Sequence, residues 1–290
     1  MLSFAQTDSV YGFGSCCTYH RKRQSLPVKE LKVIHAKINV LRLHLSRLLR
    51  AVEVEPGCKL VRFDVDEYGS PEAVARLTRQ MWHLPLGPVR NLVSAIENAG
   101  GVVFECSFGT DKIDAVSQWP RDMPPLFFVN RDLPVDRWRF SLAHELGHLV
   151  MHAVPGPDAE AEADRFASEF LMPEREVVSE LAGLNLGKAV RLKMQWRVSM
   201  QALIRRARDL AAITGRHYTT LCVQIGQEGY RKSEPSPLPP EEPTVVRDLL
   251  EAYRTSFGYD IPELSRYVLS TERHFRELFR NELSSCCNGT

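Results

Sequence analysis

Apolar residues recur at three- and four-residue intervals along Leu31, Ile34, Ile38, Leu41, Leu45 and Leu48. Lys29, Lys32, Lys37, Arg42, Arg47 and Arg50 fall among them, which predicts an amphipathic helix with a cationic outer face. A solvated face is the plainer reading of those charges, and contact with nucleic acid is its rival. Helical spacing returns from Pro71 to Trp82, behind Ser70 as N-cap and with Pro71 in the first turn. Asn91 to Asn98 predicts a third helix, closed by Gly100-Gly101. Val102–Cys106, Asp114–Trp119 and Leu126–Asn130 then read as short strands, separated by Gly109, Asp111, Pro120 and Pro124-Pro125. Helical patterns resume near Pro134, across Asp158 to Pro173, across Leu184 to Gly226, and in two amphipathic stretches from Thr244 to about Arg280. Met1 to Thr18 has no periodicity and is expected to be disordered, and the proline- and glutamate-rich Lys232 to Pro243 is expected to be an extended, solvated linker. No internal repeat is present. Helices around a small sheet give an α+β fold class.

Composition narrows the setting. The chain has 290 residues, 44% hydrophobic and 25% charged, with a net charge of +1, which suits a soluble protein with a sizeable core. No apolar run approaches the ~20 residues of a membrane span, and the first residues lack the basic start and apolar stretch of a secretory leader. A cytoplasmic protein with no membrane partner is the expectation. Seven cysteines stand as two adjacent pairs, Cys16-Cys17 and Cys286-Cys287, and as single Cys58, Cys106 and Cys222. That spacing is no disulfide framework, and without C-x-x-C it offers no cysteine zinc site. All seven are expected to be reduced thiols, with Cys106 and Cys222 in the core.

The chemistry concentrates at His144-Glu145-Leu146-Gly147-His148. On a helix, residues four apart share a face with Cβ atoms about 5–6 Å apart, so His144 and His148 can bind one metal ion. Glu145, rotated by about 100°, cannot join them easily but can act on a water at the metal's open position as general base. With nine histidines, H-E-x-x-H arises by chance in roughly two of a hundred such sequences. The flanking residues count against accident: Phe140, Leu142, Ala143, Leu149, Val150 and Met151 bury the helix, and buried ionisable groups need a partner such as a metal. A catalytic zinc needs a third protein ligand. Asp158 to Pro173 reads as a second buried helix, where Glu160 and Asp164 share a face. One of them can be a ligand and the other can hold a ligand histidine through its second ring nitrogen. Glu162, about 200° from Glu160 around the helix, is the rival ligand. His152 either caps the helix end or contributes to the site.

These motifs together resemble the ImmA/IrrE family of metallopeptidases. The resemblance rests on Pro125-Leu126-Phe127-Phe128-Val129-Asn130, Arg139-Phe140-x-x-Ala143-His144-Glu145-Leu146-Gly147-His148, Glu160-x-Glu162-Ala163-Asp164-x-Phe166-Ala167 and Leu171-Met172-Pro173. It implies a zincin-like, gluzincin-type core, with His144, His148 and Glu160 as metal ligands, Glu145 as the base and Asp164 behind a ligand. Zn2+ is the first choice of metal, and Mn2+ or Fe2+ also suits two histidines and a carboxylate. The expected division is residues 1–18 disordered, 19–181 a peptidase domain with a basic N-terminal helix, 182–230 helical and helix-turn-helix-like, 231–243 a linker, and 244–290 a C-terminal helical segment. The strand Leu126–Asn130 is either a core strand or one that pairs with an extended substrate.

The resemblance also implies a regulatory protease whose substrate is a helix-turn-helix repressor. Relatives often carry such a domain themselves, but the stretch ahead of the basic helix is too short for one. Trp196 to Arg206 reads as a turn and a basic helix, suited to bundle packing or, less readily, to a major groove. The alternative function is therefore a DNA-associated transcriptional regulator using the metal-binding fold as sensor or scaffold. Glu145 favours the peptidase, since a purely structural metal has no use for that carboxylate.

Overall fold

The change of period near residue 102, from helical to alternating, marks the centre of the molecule. The computed structural model describes residues 19–20, 27–50, 57–154 and 156–285. The expected disorder of residues 1–18 and the cysteine pairs at 16–17 and 286–287 lie outside them. A two-residue strand β1 (Tyr19–His20) precedes the basic helix α1 (Val28–Leu48). There follow α2 (Val65–Tyr68), α3 (Pro71–Met81), α4 (Leu92–Asn98), β2 (Val102–Cys106), β3 (Ala115–Gln118) and β4 (Leu126–Asn130). Then come α5 (Val135–Met151), α6 (Ala159–Leu171), α7 (Glu174–Leu181), α8 (Leu186–Trp196), α9 (Met200–Asp209) and α10 (Gly215–Gln227). The chain closes with α11 (Val245–Thr255), α12 (Ile261–Tyr267), α13 (Glu272–Leu278) and α14 (Arg280–Ser285). Ser70, Asn91 and Ser199 each cap their helix by accepting a backbone N–H, as their side-chain chemistry predicts.

Among the described residues the strands form one sheet in the order β1-β3-β4-β2. β4 lies between β3, antiparallel to it, and β2, parallel to it, and all five of its residues are buried. It is a core strand with both edges paired, so it has no edge to offer a substrate. Alternation sends Val103, Ala115, Phe127 and Val129 to one face, where α3 to α10 pack. Phe104, Val116 and Phe128 point to the other, where α1 and the C-terminal helices form a second core. Ile34, Ile38, Leu41, Leu45 and Leu48 supply the buried stripe of α1 there. The molecule is thus α+β, a small sheet covered by helices on both faces.

The segment from Lys232 to Pro243 departs from expectation. It is extended, but Leu238 and Glu241 are buried and the Glu234 side chain is 6% exposed. The reason is charge pairing. Glu234 accepts from the buried Lys193 ammonium at 3.0 Å and from the N–H of Met200 at 2.8 Å. Glu241 pairs with Arg139 on α5 and accepts the N–H groups of Leu92 and Val93, at 2.7 and 3.2 Å, at the start of α4. Two fixed cations and two helix N-termini on the core's surface hold this segment down.

Candidate metal centre

Helix α5 is buried along nearly its whole length, with Leu142, Ala143, Leu146 and Leu149 in the core between sheet and helices. Its histidine face meets α6. The two helices approach closely because residue 147 is glycine: a Cβ there would stand 3.0 Å from the ring of Phe166. Helix α6 is fixed from behind by Glu169, 1% exposed, which pairs with Arg206 of α9 and, at 3.1 Å, with Arg76 of α3. Arg79 adds a bond to the Phe170 carbonyl at 2.8 Å.

His144, His148 and Glu160 converge so that one donor atom from each lies within 4.8 Å of the others. Their Nε2 atoms are 3.0 Å apart, and the Glu160 carboxylate spans them, with Oε2 3.5 Å from His144 and Oε1 3.3 Å from His148. Each imidazole is held through its other nitrogen. His144 Nδ1 meets Asp164 Oδ1 at 2.9 Å, and His148 Nδ1 meets His152 Nδ1 at 3.0 Å. His152 Nε2 in turn meets Glu162 Oε2 at 2.8 Å. Both histidines are therefore oriented by a chain ending in a carboxylate, the support that a metal-binding imidazole would require.

This donor set fits a divalent cation. Two imidazole nitrogens 3.0 Å apart need positive charge between them, either a shared proton or a metal ion. Without a metal, the neighbouring groups share the proton unequally. Burial opposes charge on His144, but Asp164 and Glu160 outweigh it and raise its pKa to about 9. Burial lowers His148 to about 4. Hydrogen bonds from His144 and His148 hold Glu160 well below the ordinary carboxylate range.

Glu145 lies close enough to His144 and Glu160 to feel their charges, and it reaches β3. Its Oε2 accepts from the Ser117 hydroxyl at 2.7 Å, and Oε1 is buried with no hydrogen-bond partner among the described residues. Burial pushes its pKa up to about 7, close to that of an effective general base at neutral pH. All five residues singled out from the sequence thus lie in one place: Glu160 rather than Glu162 faces the histidine pair, and Asp164 stands behind His144. Three further residues complete the site, and only one of them, Ser117, has no reading in the sequence. His152 both ends α5 and supports His148, a role legible in the repeated four-residue spacing of His144, His148 and His152. Glu162 was weighed only as a ligand. Ser117 carries no signal in the sequence, because only the sheet's register places it beneath Glu145.

Exchanging Asp164 for Ala is expected to weaken metal binding about 10- to 100-fold by freeing the His144 ring. Competition against a chromogenic chelator measures it, and unchanged affinity would remove Asp164 from the site's support.

A buried helix carrying H-E-x-x-H, a carboxylate from the next helix and a sheet beneath them define a zincin-like peptidase core. Residues 96–208 match the family model Peptidase_M78, described as an IrrE N-terminal-like domain, so over that span the chain is similar to the ImmA/IrrE-type peptidases. No curated protein and no solved structure matches the chain. No described helix is long and apolar enough to cross a membrane.

Proposed function

We propose that this chain is a zinc-dependent metalloendopeptidase of the cytoplasm that cleaves a helix-turn-helix transcriptional repressor and so regulates gene expression, including under stress. The observation that carries the catalytic part is the convergence of His144, His148 and Glu160 beside a buried, proton-accepting Glu145. The choice of substrate rests on the family alone.

In this reading His144, His148 and Glu160 would hold the metal, which would supply Lewis-acid chemistry. Ser117 fixes one oxygen of Glu145 and leaves Oε1 to take the proton of the attacking water. Glu145 then passes that proton to the departing amine. Asp164, and the pair His152 and Glu162, keep the two imidazoles from turning during the cycle. Manganese or iron suits the same donors.

Binding of DNA through the helix-turn-helix-like pair α8 and α9 gains little from the basic residues of α9. Arg206 is buried against Glu169, Arg205 pairs with Asp209 at 3.0 Å, and Arg208 lies over the Tyr218 ring. The test is to measure bound metal in the purified protein and to incubate it with repressor-type proteins from the same genome. One metal ion per chain and cleavage that stops with a chelator are expected. A protein that retains no metal would end the reading, and bound metal without cleavage of any repressor would remove the proposed substrate class.

A further inference from the structure

Strand β3 lies next to the metal centre: its face packs on α5 and its Ser117 hydroxyl holds Glu145. One edge of β3 pairs with β4. The other edge is where an extended peptide would add as a further strand, its main chain hydrogen bonding along β3 with a peptide bond close to the centre. In this chain that edge is taken. Tyr19 pairs antiparallel with Ser117 and His20 with Val116, and β1 also lies against α5. Opposed residues of an antiparallel pair stand about 4.5–5.5 Å apart at Cα, so the β1 backbone runs past the residue that holds the base.

We propose that the chain's own Tyr19–His20 strand occupies the edge of β3 on which a substrate peptide docks, so that a substrate pairs there only after β1 has left. This rests on the peptidase reading above. The chemistry of the occupant argues for it. β1 offers what an extended substrate offers, a short length of backbone in antiparallel register, and as part of the same chain it competes at a high effective concentration. Two residues of pairing are also few enough to be displaced. A tethered strand of this kind lowers the apparent affinity for a substrate by the fraction of time it is docked.

The experiment compares full-length, zinc-loaded native protein with the double variant Tyr19→Pro/His20→Pro. Proline removes the backbone donor and fixes φ, so the two together break the pairing whichever residue makes the hydrogen bonds. Amide hydrogen exchange at Ala115–Gln118 is expected to quicken in the variant. A tripeptide hydroxamate, which combines an extended backbone with a metal-binding group, is expected to bind the variant about tenfold more tightly if β1 is docked nine-tenths of the time. Equal exchange in the two proteins overturns the proposal. So does faster exchange with unchanged hydroxamate affinity while zinc is retained, and that result leaves the peptidase reading intact. Failure of both proteins to hold zinc overturns the peptidase reading and takes the proposal with it.

Discussion

Glu145→Gln is expected to keep the metal content of the protein and to lower peptide-bond hydrolysis by about 10²- to 10⁴-fold, the range that general-base catalysis contributes. The amide matches the carboxylate in shape and can still accept the Ser117 hydroxyl, so the ligand histidines on the same helix have no cause to move. What it lacks is the ability to take a proton. The native carboxylate is wholly buried, with one oxygen lacking a hydrogen-bond partner among the described residues. A neutral amide costs less in that position, so the thermal midpoint of the variant should equal or exceed that of the native protein. Elemental analysis, turnover of a cleaved protein and a melting curve check the three parts. A loss below about tenfold would deny Glu145 the role of base. Loss of metal would make it part of the site's scaffold instead.

Glu241→Ala should destabilise the fold by about 3–5 kcal/mol, the usual consequence of stranding one partner of a buried ion pair. Arg139 is fully buried on the helix that carries His144 and His148, with Arg197 also facing Glu241 at 3.5 Å. Arg139 keeps its bond to the Val89 carbonyl at 2.7 Å, but nothing on that bond offsets its charge. The same change strips α4 of the carboxylate that accepts its first N–H groups. Denaturant midpoints measure the loss. An apolar double variant, Arg139→Met with Glu241→Leu, should recover much of it, because desolvating the two charges is then no longer required. A cost below about 1 kcal/mol for Glu241→Ala would mean that the segment does not hold Arg139 in solution.

The site was more legible in the sequence than the architecture was. His144, Glu145 and His148 declare themselves because helix periodicity alone fixes their relative directions. Glu160 and Asp164 share a face by the same rule on the next helix, but the angle says only that Glu160 and Glu162 cannot both face the histidines, and the choice of Glu160 came from the family resemblance. The strands were readable within a residue or two from turn residues and apolar runs. Their order was not. β4 is central because β2 pairs with it in parallel across an intervening strand, and no local pattern reports such a crossover. β1 was missed because two residues are too short to show alternation. Ser117 and Glu241 were missed for a common reason: each acts on a partner distant in sequence, Ser117 on Glu145 and Glu241 on Arg139. The proline-rich composition that made residues 232–243 look solvated says how the backbone extends, and nothing about where its two carboxylates go.

The pairing of Arg139 with Glu241 also separates two boundaries that are easily taken as one. The family match runs over residues 96–208, yet the counter-ion of Arg139 stands at 241 and one cover of the sheet is built from residues 31–48 and 246–279. A fragment cut at the ends of the match would carry His144, His148 and Glu160 and still present Phe104, Val116 and Phe128 to water beside an unneutralised buried arginine. The matched span and the stretch whose side chains complete its core are different lengths of the same chain.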